Sequence, residues 1–130
     1  MGLTHVDVKV RSLTSEASFT AKFLVDTGAW SSFAPANELK RIGIQPAGKK
    51  VFGLANGQTE EYQWGFANLE FMEELIAARI IFGPDNTEPL LGVGALEEAG
   101  FLVDPTNQTL RKLLVLPLKT ATAAAPLGVS

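Results

Sequence analysis

Cysteine is absent from this chain, and histidine occurs once, as His5. The first absence excludes disulfides, thiolate metal sites and thiol nucleophiles. The second excludes a multi-histidine metal centre within one chain. There is no basic excess, since the net charge is −3, whereas a nucleic-acid partner usually demands a basic patch. No apolar run approaches the roughly 20 residues that cross a bilayer as a helix. No basic-then-apolar leader opens the sequence. These absences together predict a cytoplasmic protein with no metal or organic cofactor, no nucleic-acid partner and no membrane partner. The chain has 130 residues, 46% hydrophobic and 19% charged, which is enough for one domain with one core and too apolar for disorder.

Short alternating runs with turn signals between them dominate the sequence. Val6, Val8 and Val10 alternate with His5, Asp7, Lys9 and Arg11, a period of two that reads as a half-buried strand with His5 on its polar face. Residues 12–17 read as a Ser/Thr turn, and residues 18–25 as a second strand that completes a hairpin and ends at Asp26. Residues 29–35 read as a short apolar strand, and residues 36–43 as a short helix stopped by Gly43. Ala55-Asn56-Gly57 is a hairpin signal, because Asn-Gly readily supplies positive φ angles. Gly83–Asn86 reads as a turn, Gly94–Ala99 as a helix ended by Gly100, Phe101–Asp104 as a strand and residues 105–107 as a turn. A last strand is predicted over 109–118, with the domain ending at 119 and a flexible tail over 120–130. The pattern is that of a mostly-β domain with one or two short helices.

One position breaks the alternation. Phe23, Leu24 and Val25 lead directly into Asp26, followed by Thr27 and Gly28. A carboxylate at the end of a buried strand is costly unless something holds it, so it is a functional-site candidate. Glycine after threonine allows a sharp turn that brings an N–H to the carboxylate, and the threonine hydroxyl is expected to bond back and lock the loop. Asp85 and Asp104 lie beside prolines and read as turn-formers. Glu60-Glu61 and Glu73-Glu74 read as solvated faces and Trp64 as core packing, while Trp30 is open between core and groove.

Leu24-Val25-Asp26-Thr27-Gly28-Ala29 resembles the active-site motif of the retropepsin-like aspartic proteases (clan AA), and the look is closest to the bacterial and archaeal single-domain members. Leu90-Leu91-Gly92 is similar to the family's second, apolar-apolar-Gly motif, which supports the catalytic loop from beneath. The hairpin around Val51–Tyr62 falls where the family places its flap. The resemblance spans residues 4–118. It implies a closed β-barrel, and strands rather than the helix that composition suggests over 70–82, with a turn near Met72–Glu74. Departures are the tip Ala55-Asn56-Gly57 in place of a double glycine, Val93 after the second motif, and Trp30 in place of an acidic residue.

The chemistry of the resemblance needs two carboxylates that share a proton, because like charges about 3 Å apart cannot both ionise. The chain carries one Asp-Thr-Gly, so the pair must come from two chains, as a C2 homodimer supplies. The expected function is an aspartic endopeptidase acting on an extended peptide or protein. The resemblance makes Asp26, Thr27 and Gly28 catalytic, with Ala29, Trp30, Phe52, Gly53, Leu54, Ala55, Asn56 and Gly57 binding substrate and Leu90, Leu91 and Gly92 in support. It also implies that terminal strands of the two subunits interleave. The alternative is a peptide-binding or dimerisation module with little or no hydrolysis; a third reading is an autoprocessing enzyme whose only substrate is its own precursor or one partner.

Overall fold

The computed structural model describes residues 4–104, 106–107 and 109–116. The predicted tail and the end of the domain at 119 therefore lie outside the described residues. In chain order the elements are β1 (His5–Arg11), β2 (Ser18–Asp26), β3 (Ser32–Pro35), α1 (Ala36–Arg41), β4 (Gly48–Gly53), β5 (Thr59–Phe71), β6 (Glu74–Gly83), β7 (Leu90–Gly92), α2 (Val93–Ala99), β8 (Phe101–Asp104) and β9 (Thr109–Lys112).

The first hairpin forms as its alternation dictates. Val8 and Val10 point into the core from β1 and Phe23 and Val25 from β2, while Asp7, Lys9 and Lys22 face water. Each such buried apolar side chain contributes about 2 kcal/mol through removal from water. The main sheet runs β1-β2-β7-β3-β6-β5-β4, and β5 also pairs with β1. That extra pairing, Lys9↔Glu70, Val10↔Leu69 and Arg11↔Asn68, closes six strands into a barrel. The Arg11–Glu70 ion pair at 3.0 Å spans the closure. The 13-residue β5 makes this possible, because its first half pairs with β4 and its second half with β1. The fold is thus mostly β, a closed barrel with two short helices.

The 70–82 segment shows tertiary context overriding helix propensity. Met72 and Glu73 take φ of 51° and 67° and turn the chain, and β6 then lies between β5 and β3 with Ile76 and Ile80 buried. Two non-glycine residues at positive φ cost about 1 kcal/mol each, which the long β5–β6 ladder offsets.

Four boundaries differ from the sequence expectation. The strand expected over 29–35 begins only at Ser32, because the carbonyls of Ala29 and Trp30 accept hydrogen bonds from Val93 and Gly94 instead of joining the sheet. Helix α1 ends at Arg41, two residues short of the expected bound, and Gly43 at φ 89° stops it as expected. The 55–57 tip is not a turn with two positive φ angles: only Gly57 is positive, at 86°, and Leu54 receives the Gly57 N–H and gives its own N–H to Gln58. The strand expected over 109–118 ends at Lys112, because its partner β8 begins at Phe101, opposite Lys112; the Leu113 N–H makes one more bond in the same register, to the Gly100 carbonyl at 2.8 Å. Leu113–Leu116 continues without strand pairing, and 117–118 lies outside the described residues. Among the described residues no helix is long and apolar enough to cross a membrane.

Candidate active site

Asp26 is the last residue of β2, half-buried, and Thr27 and Gly28 beside it are exposed. The Gly28 N–H donates to Asp26 Oδ1 at 2.8 Å, and the Ala29 N–H donates to the Asp26 carbonyl at 3.2 Å. The turn therefore points one backbone donor at one carboxylate oxygen and leaves the other oxygen free of it. Thr27 does not form the expected lock: its side chain makes no hydrogen bond among the described residues. It instead borders a cavity of about 130 Å³ with Val93, Leu96, Phe101 and Val103. Among the described residues this hydroxyl, exposed beside the carboxylate, has no partner to hold it.

Support for the loop comes from β7. This strand runs parallel to β2, with Leu24↔Leu90, Val25↔Leu91 and Asp26↔Gly92 in register. The Leu24 N–H reaches the Pro89 carbonyl at 2.9 Å, and the Val25 N–H reaches the Thr4 carbonyl at 2.9 Å. Beyond the register, Val93 and Gly94 donate to the carbonyls of Ala29 and Trp30 at 2.8 and 3.0 Å. Gly92 is indispensable at this crossing, because a Cβ there would lie 2.4 Å from the Trp30 carbonyl oxygen, a fixed backbone atom. Its own N–H donates to the buried Ser32 Oγ at 2.9 Å.

Leu90, Leu91 and Gly92 thus pair with Leu24, Val25 and Asp26, and Gly92 also meets the Trp30 backbone. Phe52, Gly53, Leu54, Ala55, Asn56 and Gly57 form a separate unit, the β4–β5 hairpin. Among the described residues no hydrogen bond joins that unit to the Asp26 loop. Its tip is held internally: the Asn56 Oδ1 accepts from the Gln58 N–H at 2.9 Å, and Phe52 lies 6.3 Å from Tyr62 between ring centres. Trp30 is 67% exposed and lies over Gly94. Trp64 is partly buried under the Arg79 guanidinium, 4.2 Å from its ring centre, and its Nε1 is buried without a partner among the described residues.

Sequence reasoning missed Ser32 and Gly94. Ser32 gave no signal beyond a serine pair. Gly94 stands two residues after the motif glycine, a spacing that carries its meaning only once the indole above it is visible. The other acidic residues behave as turn and surface groups. Asp85 accepts the Asn37 N–H at the start of α1, at 2.9 Å. The Asp104 carboxyl is held below its ordinary range first by the Asn107 backbone N–H and then by that of Thr106. His5 faces Glu88 at 2.7 Å on the surface. Among the described residues no group of three or more His, Asp or Glu side chains is placed to hold a metal.

Comparison with known proteins places this architecture. Residues 16–98 match the family described as "gag-polyprotein putative aspartyl protease", and the chain belongs to that family. No curated protein matches it in sequence. Among solved structures, the protease of simian foamy virus (mac) aligns at 13% identity and a TM-score of 0.52, over 72% of this chain and 92% of the viral one. The EIAV protease in complex with the inhibitor HBY-793 aligns at 17% identity and a TM-score of 0.54, over 75% of this chain and 88% of that one. A retropepsin-like aspartic protease from Rickettsia conorii aligns at 20% identity and a TM-score of 0.43, over 78% and 83%. For the two viral proteases, at these identities, the likeness is one of fold, the retropepsin-like barrel.

Proposed function

We propose that the protein is an aspartic endopeptidase whose catalytic pair forms across a homodimer, with the cytoplasm as its place of work. The observation that carries this reading is the single carboxylate of Asp26, fixed by the Gly28 N–H at the end of β2 with Thr27 and Gly28 exposed beside it. A fixed carboxylate with an exposed flank is suited to meet its twofold copy. In that dyad one carboxylate takes a proton from water as its oxygen attacks the scissile carbonyl. The other gives its proton to the carbonyl oxygen. Collapse of the tetrahedral intermediate then breaks the C–N bond, and the amine leaves with a proton from the dyad. Gly28 orients the carboxylate through its N–H, and Thr27 stands at the seam between copies. The hairpin from Phe52 to Gln58 closes over an extended peptide, which pairs through its backbone. Ala29 and Trp30 border the bound peptide, and Leu90, Leu91 and Gly92 keep the loop in place.

The test is cleavage of an unstructured protein and a peptide library from about pH 3 to pH 7, comparing the natural chain with Asp26→Asn. Cleavage by the first and a fall of about a thousandfold or more in the second is the expected result. Equal cleavage by both would remove Asp26 from the mechanism. The second reading, a peptide-binding module on the same fold, is favoured by a hairpin tip with one positive-φ glycine in place of a double glycine. A folded dimer that cleaves nothing and fails to bind a statyl-type transition-state analogue tightly would establish it, since tight binding needs an assembled dyad.

A further inference from the structure

A cavity of about 250 Å³ opens between the Asp26 loop, β6 and the start of α2, and the dyad does not account for it. Trp30, Ser31, Arg79, Gly94, Ala95 and Glu98 line it. Pockets that enclose whole small molecules occupy roughly 300–1,000 Å³, so this one suits a single side chain of a larger ligand. Its wall is the Trp30 indole. That ring is largely exposed, yet it is seated: a Cβ on Gly94 would lie 2.8 Å from its Cε2. The ring is held in place by an absent side chain and covers no core.

The charges decide what fits. Glu98 is exposed and forms no ion pair among the described residues. Arg79 is already engaged, with its guanidinium carbon 4.2 Å from the centre of the Trp64 ring. An indole face attracts cations and not anions, and a free carboxylate at the same cavity adds a charged acceptor. The chain from Asp26 to Trp30 spans at most about 14 Å, and an extended peptide advances about 3.3 Å per residue. The cavity therefore lies within about four peptide residues of Asp26.

We propose that this cavity is a subsite for a lysine or arginine side chain of the extended substrate, stacked on Trp30 and paired with Glu98. The proposal rests on the reading of the Asp26 loop as the floor of a peptide-cleaving cleft. Two measurements on one set of extended peptides test it, the peptides carrying Lys, Gln or Glu at each position in turn. Binding is measured by fluorescence anisotropy on the Asp26→Asn chain, and kcat/KM on the natural chain, with melting curves to verify that each variant is folded. At one position Lys is expected to exceed Gln by about fivefold in both measurements. Glu98→Gln removes that preference and Glu98→Lys turns it toward Glu. An unchanged ranking in the Glu98 variants overturns the proposal, as does a preference for Glu in the natural chain or no peptide binding at all. Cleavage without charge preference would sink the subsite and leave the protease. Charge-dependent binding without cleavage would sink the protease and leave the subsite.

Discussion

The Asp26 loop is held from outside itself. Val93 and Gly94 at the start of α2 donate to its carbonyls, Ser32 fixes the crossing strand, and Gly92 allows two backbones to touch where no side chain fits. Among the described residues β4 of the β4–β5 hairpin pairs with no strand but β5, its residues are mostly exposed, and a Cβ at Gly53 or Gly57 would meet nothing within 4 Å. Both turns depend on glycine, for opposite reasons. One needs the space a side chain would take, and the other needs a backbone angle in open solvent. A carboxylate that must meet its partner in one geometry is best placed in the first kind of turn, where preorganisation costs nothing at the moment of reaction. A segment that must move to admit a peptide is drawn from the second, weakly tied kind.

The contrast breaks most sharply at Gly92. Gly92→Ala places a Cβ 2.4 Å from the Trp30 carbonyl oxygen, and it is expected to cost about 3 kcal/mol in a denaturant melt, with any cleavage lost as well. A variant of natural stability would mean that the loop is not fixed by this crossing. Ser32→Ala strips the buried Gly92 N–H of its acceptor, for an expected loss of about 1–2 kcal/mol. Gly57→Ala is strained by its φ of 86° and not by crowding. Its cost should be about 1 kcal/mol, and faster amide exchange should be confined to the hairpin. A change reaching the Asp26 loop would join two regions described here as separate.

The smallest effect comes from a turn outside both regions. Asp104 has its carboxyl held below 3.8 by the Asn107 and Thr106 N–H groups. A depressed folded value means that its contribution is complete above about pH 3.8 and is lost as pH falls through the folded value. The Thr106 and Asn107 amide shifts should therefore titrate together below that point, and Asp104→Asn should flatten them. Movement of the Asp26-loop amides in step with them would show that the β8–β9 pair and the loop are coupled.

The fold was legible where the pattern is local. Val6–Val10 against Phe19–Val25 forms the predicted hairpin, and Gly100 at φ 90° ends α2 as expected. Over 70–82 composition favoured a helix, and only the resemblance pointed to strands. Of the site, Asp26 and the Gly28 N–H could be read from the apolar strand that runs into a glycine turn. The motif likeness put Leu90-Leu91-Gly92 beneath the loop, but the parallel pairing of β2 with β7, distant in sequence, was not legible. The seat of Trp30 on Gly94 and the role of Ser32 were not legible, because each depends on two segments brought together only when the barrel closes. The last strand was overextended because its leucines fit a strand by composition, while its partner β8 begins at Phe101, opposite Lys112, and among the described residues leaves Leu114–Leu116 no strand to pair with.

Closure of the barrel through Lys9–Arg11 and Asn68–Glu70 also bears on solubility. Ring closure gives six strands a neighbour on each side, so in the seven-stranded sheet β4 is the strand, among the described residues, whose whole outer flank has none. An open flank is a template on which further copies can stack into filaments. Two adjacent exposed lysines, Lys49 and Lys50, stand on it, and a second β4 arriving there would bring the same two charges. A peptide without that charge pair meets no such repulsion, so the one rail left free for a guest strand is guarded against the protein itself.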